Sequence, residues 1–128
     1  MLKKINIKQK ELTPLVCVDK KNTKLVFKGV CVPENTYEFF NPIFKWIDEY
    51  SLKPIKEFKF QFELDYFNTS SSRMILELMK RIQKIPNQYI EWLLFEDDED
   101  INEVVNDYNE LLGGGIIIKI KQRDFAVS

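Results

Sequence analysis

The period of the hydrophobic pattern changes abruptly near residue 68. Before that point Phe58, Phe60, Phe62, Leu64 and Tyr66 alternate with Lys59, Gln61, Glu63 and Asp65. Alternation of this kind gives a β-strand one apolar and one polar face. After it, Met74, Ile75, Leu78, Met79 and Ile82 fall on one stripe of a helix. Four consecutive hydroxyl residues, Thr69 to Ser72, sit at the joint. A strand feeding straight into an amphipathic helix, with another apolar segment at Tyr89 to Phe95, calls for a crossover connection.

The same grammar extends in both directions. Leu15 to Val18 and Lys24 to Lys28 read as two strands joined by the polar turn Asp19-Lys20-Lys21-Asn22, and Ile5 to Ile7 as an edge strand. Asn35-Thr36-Tyr37-Glu38 has the form of a capping box. Pro42 is poorly suited to a helix interior, and Asn41-Pro42 is itself a good start. The expectation is a short turn, a break, then a main helix from Pro42 to about Tyr50. Ile101, Val104, Val105, Tyr108, Leu111 and Leu112 form a third helical stripe, closed by Gly113-Gly114-Gly115. Ile116, Ile118 and Ile120 then alternate with Lys119 and Lys121.

Strands that alternate in this way are not buried on both faces. The order therefore predicts a two-layer α/β domain. It has a mixed sheet, helices mainly on one face, and a Lys/Glu-bearing face open to water. The 128 residues are enough for one domain spanning 1–128 with one core, and the 45% apolar content supports it.

Composition removes several function classes. The chain has no histidine, which is the usual general base near neutral pH and the commonest metal ligand. Cys17 and Cys31 alone make no zinc site and read as small core residues. A net charge of −1 argues against nucleic acid as a partner. No apolar run is long enough to span a bilayer, and the lysine-dotted N-terminus lacks the apolar stretch of a signal peptide. A cytoplasmic location without membrane insertion is expected. No cofactor is expected either. There is no Gly-rich phosphate loop and no Gly-x-Ser-x-Gly elbow, and the triple glycine follows a helix instead of preceding one.

The joint has its own chemistry. The first N–H groups of a helix lack intrahelical partners and carry the positive end of the macrodipole. Asn68 or Thr69 can cap there, with Ser70, Ser71 and Ser72 filling an exposed first turn. The same groups favour a phosphate. Phosphorylating Thr69 adds about −1.5 to −2 charges. Arg73 can pair with that charge, whereas Asp65 would repel it. The acidic run Glu96-Asp97-Asp98-Glu99-Asp100 reads as a cap at Asp98 with acids in the first turn. Asp97, Asp98 and Asp100 are also candidates for contact with a basic partner. The spacing is not that of a calcium loop. Pro33-Glu34-Asn35 reads as a strand exit and helix cap, and as a second candidate contact. Trp46 and Trp92 read as core.

Three blocks of the chain together resemble the SiaC family of bacterial regulatory phosphoproteins. They are Gly29-Val30-Cys31-Val32-Pro33-Glu34-Asn35 with Phe39-Phe40-Asn41-Pro42 and Trp46; Tyr66-Phe67-Asn68-Thr69-Ser70-Ser71-Ser72-Arg73; and Trp92 followed by the acidic run. The chain departs from the family pattern where Cys31 replaces serine, Phe40 replaces tyrosine, and Val105-Asn106 replaces Gly-Glu. The resemblance implies a non-catalytic switch protein. A cognate kinase would phosphorylate Thr69 and a PP2C-type phosphatase would reverse it. The unphosphorylated form would bind and stimulate a diguanylate cyclase. Tyr66, Phe67, Asn68, Ser70, Ser71 and Arg73 would form the switch region. The placement of Thr69 is also similar to that of the phosphoserine in STAS-type anti-sigma-factor antagonists, and the predicted layering is STAS-like in general organisation. The alternatives are a constitutive scaffold without a switch, and a small enzyme using the acidic cluster.

Overall fold

The structure is a computed structural model and describes residues 3–122. The expected domain, 1–128, reaches beyond these at both ends. Six strands form one sheet in the order of the sequence. They are β1 (Asn6–Ile7), β2 (Leu15–Val18), β3 (Lys24–Cys31), β4 (Lys59–Phe67), β5 (Tyr89–Phe95) and β6 (Ile116–Lys121). β1, β2 and β3 pair antiparallel, whereas β3 to β6 pair parallel. The three parallel connections carry α1 (Thr36–Leu52), α2 (Thr69–Gln83) and α3 (Glu99–Leu111). Right-handed crossovers that all step in one direction place their helices on one face. The other face stays open, as the alternating strands require.

The core lies between the helices and the sheet. Phe27, Phe62 and Trp92 sit in register on β3, β4 and β5. Their rings stack across the sheet at centroid distances of 4.5 Å and 4.9 Å, within 10° of parallel. Phe58 and Phe60 are fully buried against Trp46 and Tyr50 of α1. Both tryptophans are core residues, as expected; of the two free thiols Cys31 lies in the core as expected, whereas Cys17 is only half-buried.

Two local expectations fail. The first is the break before Pro42. α1 runs unbroken from Thr36 to Leu52 with Pro42 inside it. Asn35 caps it by accepting from the Glu38 N–H at 3.0 Å. Phe40, Ile43, Trp46, Ile47 and Tyr50 make one buried stripe that passes straight through the proline. An interior proline costs about 3 kcal/mol, and burying Phe40 against the sheet returns about 2–3 kcal/mol. The Glu38 carbonyl, which has lost its partner, lies on an exposed turn where water can take its place.

The second is Tyr66. Alternation places it with Phe62 and Leu64 on the apolar face, yet it is 57% exposed. The β3–β4 register slips there, with Gly29 opposite Leu64 and Val30 opposite Tyr66. Asp65 is the extra residue of a β-bulge. The slip turns Asp65 and Tyr66 both outward and swings Phe67 into the core. Gly29, at φ +122° and close against Gln9, supplies the backbone conformation on the facing strand.

On the open face Glu91 is only 2% exposed. It accepts from Gln61 at 2.7 Å and pairs with Lys59 at 3.1 Å and Lys119 at 3.0 Å. Burial opposes its charge. The Gln61 hydrogen bond and the Lys119 and Lys59 ammonium groups outweigh burial and hold the carboxyl at about 2, against an ordinary 4.5. A depressed carboxyl stabilises the fold above its unfolded value, and that stabilisation is lost as pH falls through the folded value. Stability is therefore expected to fall between about pH 4.5 and pH 2. In Glu91→Gln that slope is shallower and the variant is less stable at pH 7. Urea midpoints measured across this range check both.

Candidate functional site

Each parallel strand hands over to its helix at the same edge of the sheet. β3 ends at Cys31 and α1 begins at Thr36, β4 ends at Phe67 and α2 begins at Thr69, and β5 ends at Phe95 and α3 begins at Glu99. The strands are in sequence order, so three helix N-termini stand in a row along this edge. The three segments singled out from the sequence converge there: Pro33-Glu34-Asn35, Tyr66 to Arg73, and Asp97 to Asp100. The strand order never reverses across β3 to β6, so the sheet has no crevice of the kind that holds nucleotides in doubly wound folds.

Asn68, not Thr69, is the cap of α2. Its side chain accepts from the Ser71 N–H at 3.0 Å, and its own N–H reaches back to the Cys31 carbonyl at 3.4 Å. Thr69 is the first helical residue. It is exposed and relieved of capping. Ser70 and Arg73 are exposed beside it. α1 carries Glu38 in its first turn and α3 carries Glu99 and Asp100, but α2 has no acid there. The positive end of its dipole is left uncompensated. Tyr66 stands out from the bulge immediately upstream.

The other switch-region residues face inward. Phe67 is 8% exposed and stacks near Trp92 and Tyr108. Ser71 is fully buried. The expected exposed first turn is thus corrected: Ser71 and Phe67 shape the joint from beneath, and their side chains offer a partner nothing to touch. The reason is helical periodicity, since Ser71 shares the inward face with Ile75 and Leu78. Its hydroxyl has no conventional hydrogen-bond partner, and its polar neighbour is the Cys31 thiol, a weak one. Burial pushes that thiol up to about 11, only slightly offset by Ser71, so it stays protonated and unreactive.

Ser72 is half-buried and tied to α3. The Tyr108 hydroxyl donates to the Ser72 carbonyl at 2.9 Å and pairs with the Ser72 hydroxyl. Burial, against the Ser72 hydrogen bond and with a smaller push from Cys31, raises the Tyr108 hydroxyl to about 12 and keeps its proton in place. Sequence reading missed this tether. Tyr108 was legible only as part of an apolar stripe, and nothing local links residues 36 apart.

Glu34 and Asn35 join the α2 N-terminus across a groove of about 290 Å³ lined by Tyr37, Ser70, Arg73 and Met74. Tyr37 is 72% exposed. Pro33 is buried, so of the Pro33-Glu34-Asn35 segment Glu34 and Asn35 are the reachable residues. At the third N-terminus Asp98 caps α3 by accepting from the Ile101 N–H at 3.3 Å. Asp97 and Asp100 are exposed. Among the described residues no group of His, Cys, Asp and Glu is placed to hold a metal ion, and no helix is long and apolar enough to cross a membrane.

Comparison with known proteins places this geometry. The model of the SiaC family regulatory phosphoproteins matches residues 7–120. An uncharacterised protein of Pseudomonas aeruginosa (strain UCBPP-PA14) is 21% identical over 110 residues, covering 83% of this chain and 87% of that protein. The structure of SiaC of Pseudomonas aeruginosa superposes with a TM-score of 0.78 at 22% identity, covering 93% of this chain and 99% of that one. A crystal structure of the diguanylate cyclase SiaD in complex with its activator SiaC, from the same organism, gives 0.79 at 23% identity, over 91% and 99% of the two chains. At these identities the structural matches establish the fold.

Proposed function

The chain belongs to the SiaC family of regulatory phosphoproteins, and from that footing we propose that it is a non-catalytic switch controlled by reversible phosphorylation of Thr69. Unphosphorylated, it binds and stimulates a diguanylate cyclase and so raises cyclic di-GMP. A cognate kinase adds the phosphate and a PP2C-type phosphatase removes it. The regulatory unit is a single domain over residues 1–128.

The observation that carries this reading is the division of labour at the joint. Asn68 caps the helix, so Thr69 is exposed with no capping duty to lose. A phosphate there would meet a helix whose own first turn carries no acid, with Arg73 one turn on and Glu34 across the groove. The helix N-terminus favours the anion by about 0.3–1 kcal/mol when exposed, so the fold tolerates the modification. Tyr66, Asn68, Ser70 and Arg73 form the surface that the charge alters, and Glu34, Asn35, Asp97 and Asp100 extend it along the edge. The complex of SiaC with the cyclase that it activates in Pseudomonas aeruginosa supports the choice of partner.

Incubation with the cognate kinase and ATP is expected to add one phosphate, seen by intact mass and absent in Thr69→Ala. The PP2C-type phosphatase returns the mass to its starting value. A phosphate retained by Thr69→Ala would move the site to Ser70, the exposed neighbour.

A further inference from the structure

The helix-free face of the sheet carries an arrangement that the switch reading does not use. Lys28 and Lys121 share Glu63 at 3.4 Å and 2.8 Å. Lys59 and Lys119 share Glu91 at 3.1 Å and 3.0 Å. Lys24 reaches Gln61 at 3.3 Å. Five ammonium groups thus stand on this face against these two carboxylates and the exposed Asp65 at the end of β4. The two glutamates lie deep, with side chains 12% and 3% exposed, whereas Lys28, Lys119 and Lys121 are 58%, 58% and 47% exposed. Buried acids therefore hold a surplus of outward-facing cations in fixed positions. The whole chain is at −1, so this face is positive on an otherwise acidic molecule.

Apolar side chains lie between the cations. By register, Leu15, Val26, Leu93 and Ile117 share the face with these lysines. Ile117 and Tyr89 are each 42% exposed. A parallel sheet is ordinarily covered by helices on both faces, and here one layer is missing.

We propose that this face docks an acidic amphipathic helix of a partner protein, which supplies the missing layer. Its apolar stripe packs on Val26, Leu93 and Ile117, and its carboxylates meet the lysine surplus. Nucleic acid fits less well. Among the described residues the face carries no arginine, and its lysines are interleaved with aliphatic groups instead of forming a continuous basic track. The surface lies on the side of the sheet away from the helices, so it is separate from the Thr69 joint.

The test uses the full chain, isotope-labelled, and a synthetic helical peptide with Glu on its polar face and Leu on the other. A peptide with Lys in place of Glu and a short single-stranded RNA serve as comparisons. The expected result is saturable amide shifts at Val26, Gln61, Glu91, Leu93 and Lys119 with the acidic peptide alone. Lys24→Glu/Lys28→Glu should weaken binding about tenfold, as should raising NaCl from about 50 to about 500 mM. Phosphorylating Thr69 should leave the peptide's affinity unchanged. Lys24→Gln/Lys28→Gln, which places no new charge on the face, should weaken binding by a smaller factor and guards against misfolding of the double reversal. Equal binding of the Lys peptide, a preference for RNA, shifts confined to the helices, or no saturation would each overturn the proposal.

Discussion

Protein phosphorylated on Thr69 is expected to bind the proposed diguanylate cyclase partner at least about a hundredfold more weakly than unmodified protein, a loss of about 2.7 kcal/mol. Two terms of different size decide this. In the free protein the phosphate is solvated and gains about 0.3–1 kcal/mol from the α2 N-terminus, so the melting temperature should move by only a few degrees. In the complex a partner packed on the joint would have to bury a dianion. A buried charge without a matched cation costs several kcal/mol, and the neighbouring cation, Arg73, sits on an exposed turn. Binding is lost while folding is kept. Calorimetric titration of enzymatically phosphorylated protein, wild type and Thr69→Ala against the cyclase reads the difference. Thr69→Ala should bind as wild type does and be indifferent to kinase treatment. Aspartate at the same position carries one charge and fewer acceptors, so Thr69→Asp should give a smaller loss. Equal affinity of all forms would make the chain a constitutive scaffold.

Phe62→Ala should lower unfolding stability by about 3–5 kcal/mol, the range for an aromatic truncated in a core. Phe62 is fully buried in the middle of the central strand, with Phe27 stacked on one side and Trp92 on the other. Both neighbours are fixed by strand pairing, so they cannot close the space that the ring leaves. Both ring contacts of the three-ring stack would be lost at once. Chemical unfolding followed by tryptophan fluorescence measures the change. A loss below about 1 kcal/mol would mean that the sheet relaxes around the site far more than close packing allows.

The parts of this fold that were readable in the sequence rest on short-range rules. Phe58 to Leu64 alternate because a strand repeats every two residues, and the structure buries each of those apolar side chains. Asn35 and Asp98 were legible as caps because a cap bonds to an N–H three residues on. The family blocks pointed to Thr69, and the structure leaves it exposed. The misreadings were places where a distant neighbour overrode a local rule. Pro42 argued for a break, but the stripe from Phe40 to Tyr50 needed one unbroken helix against β4. Tyr66 fitted the alternation, but pairing with β3 forced a bulge. Ser71 and Ser72 looked like solvated turn residues, but the stacking of α2 on the sheet and Tyr108 from α3 drew them in.

The sequence by itself determined the periodic cores of the strands and helices and that one face of the sheet meets water. Those depend on spacings of two to four residues, and spacing is all that a linear text carries. Only the tertiary structure decided that three helix starts line one edge, that Asn68 leaves Thr69 unoccupied by capping, and that lysines from β3, β4 and β6 converge on two deep carboxylates. Each of those is a meeting of residues tens of positions apart, set by strand order and register, which arise from packing the whole chain at once.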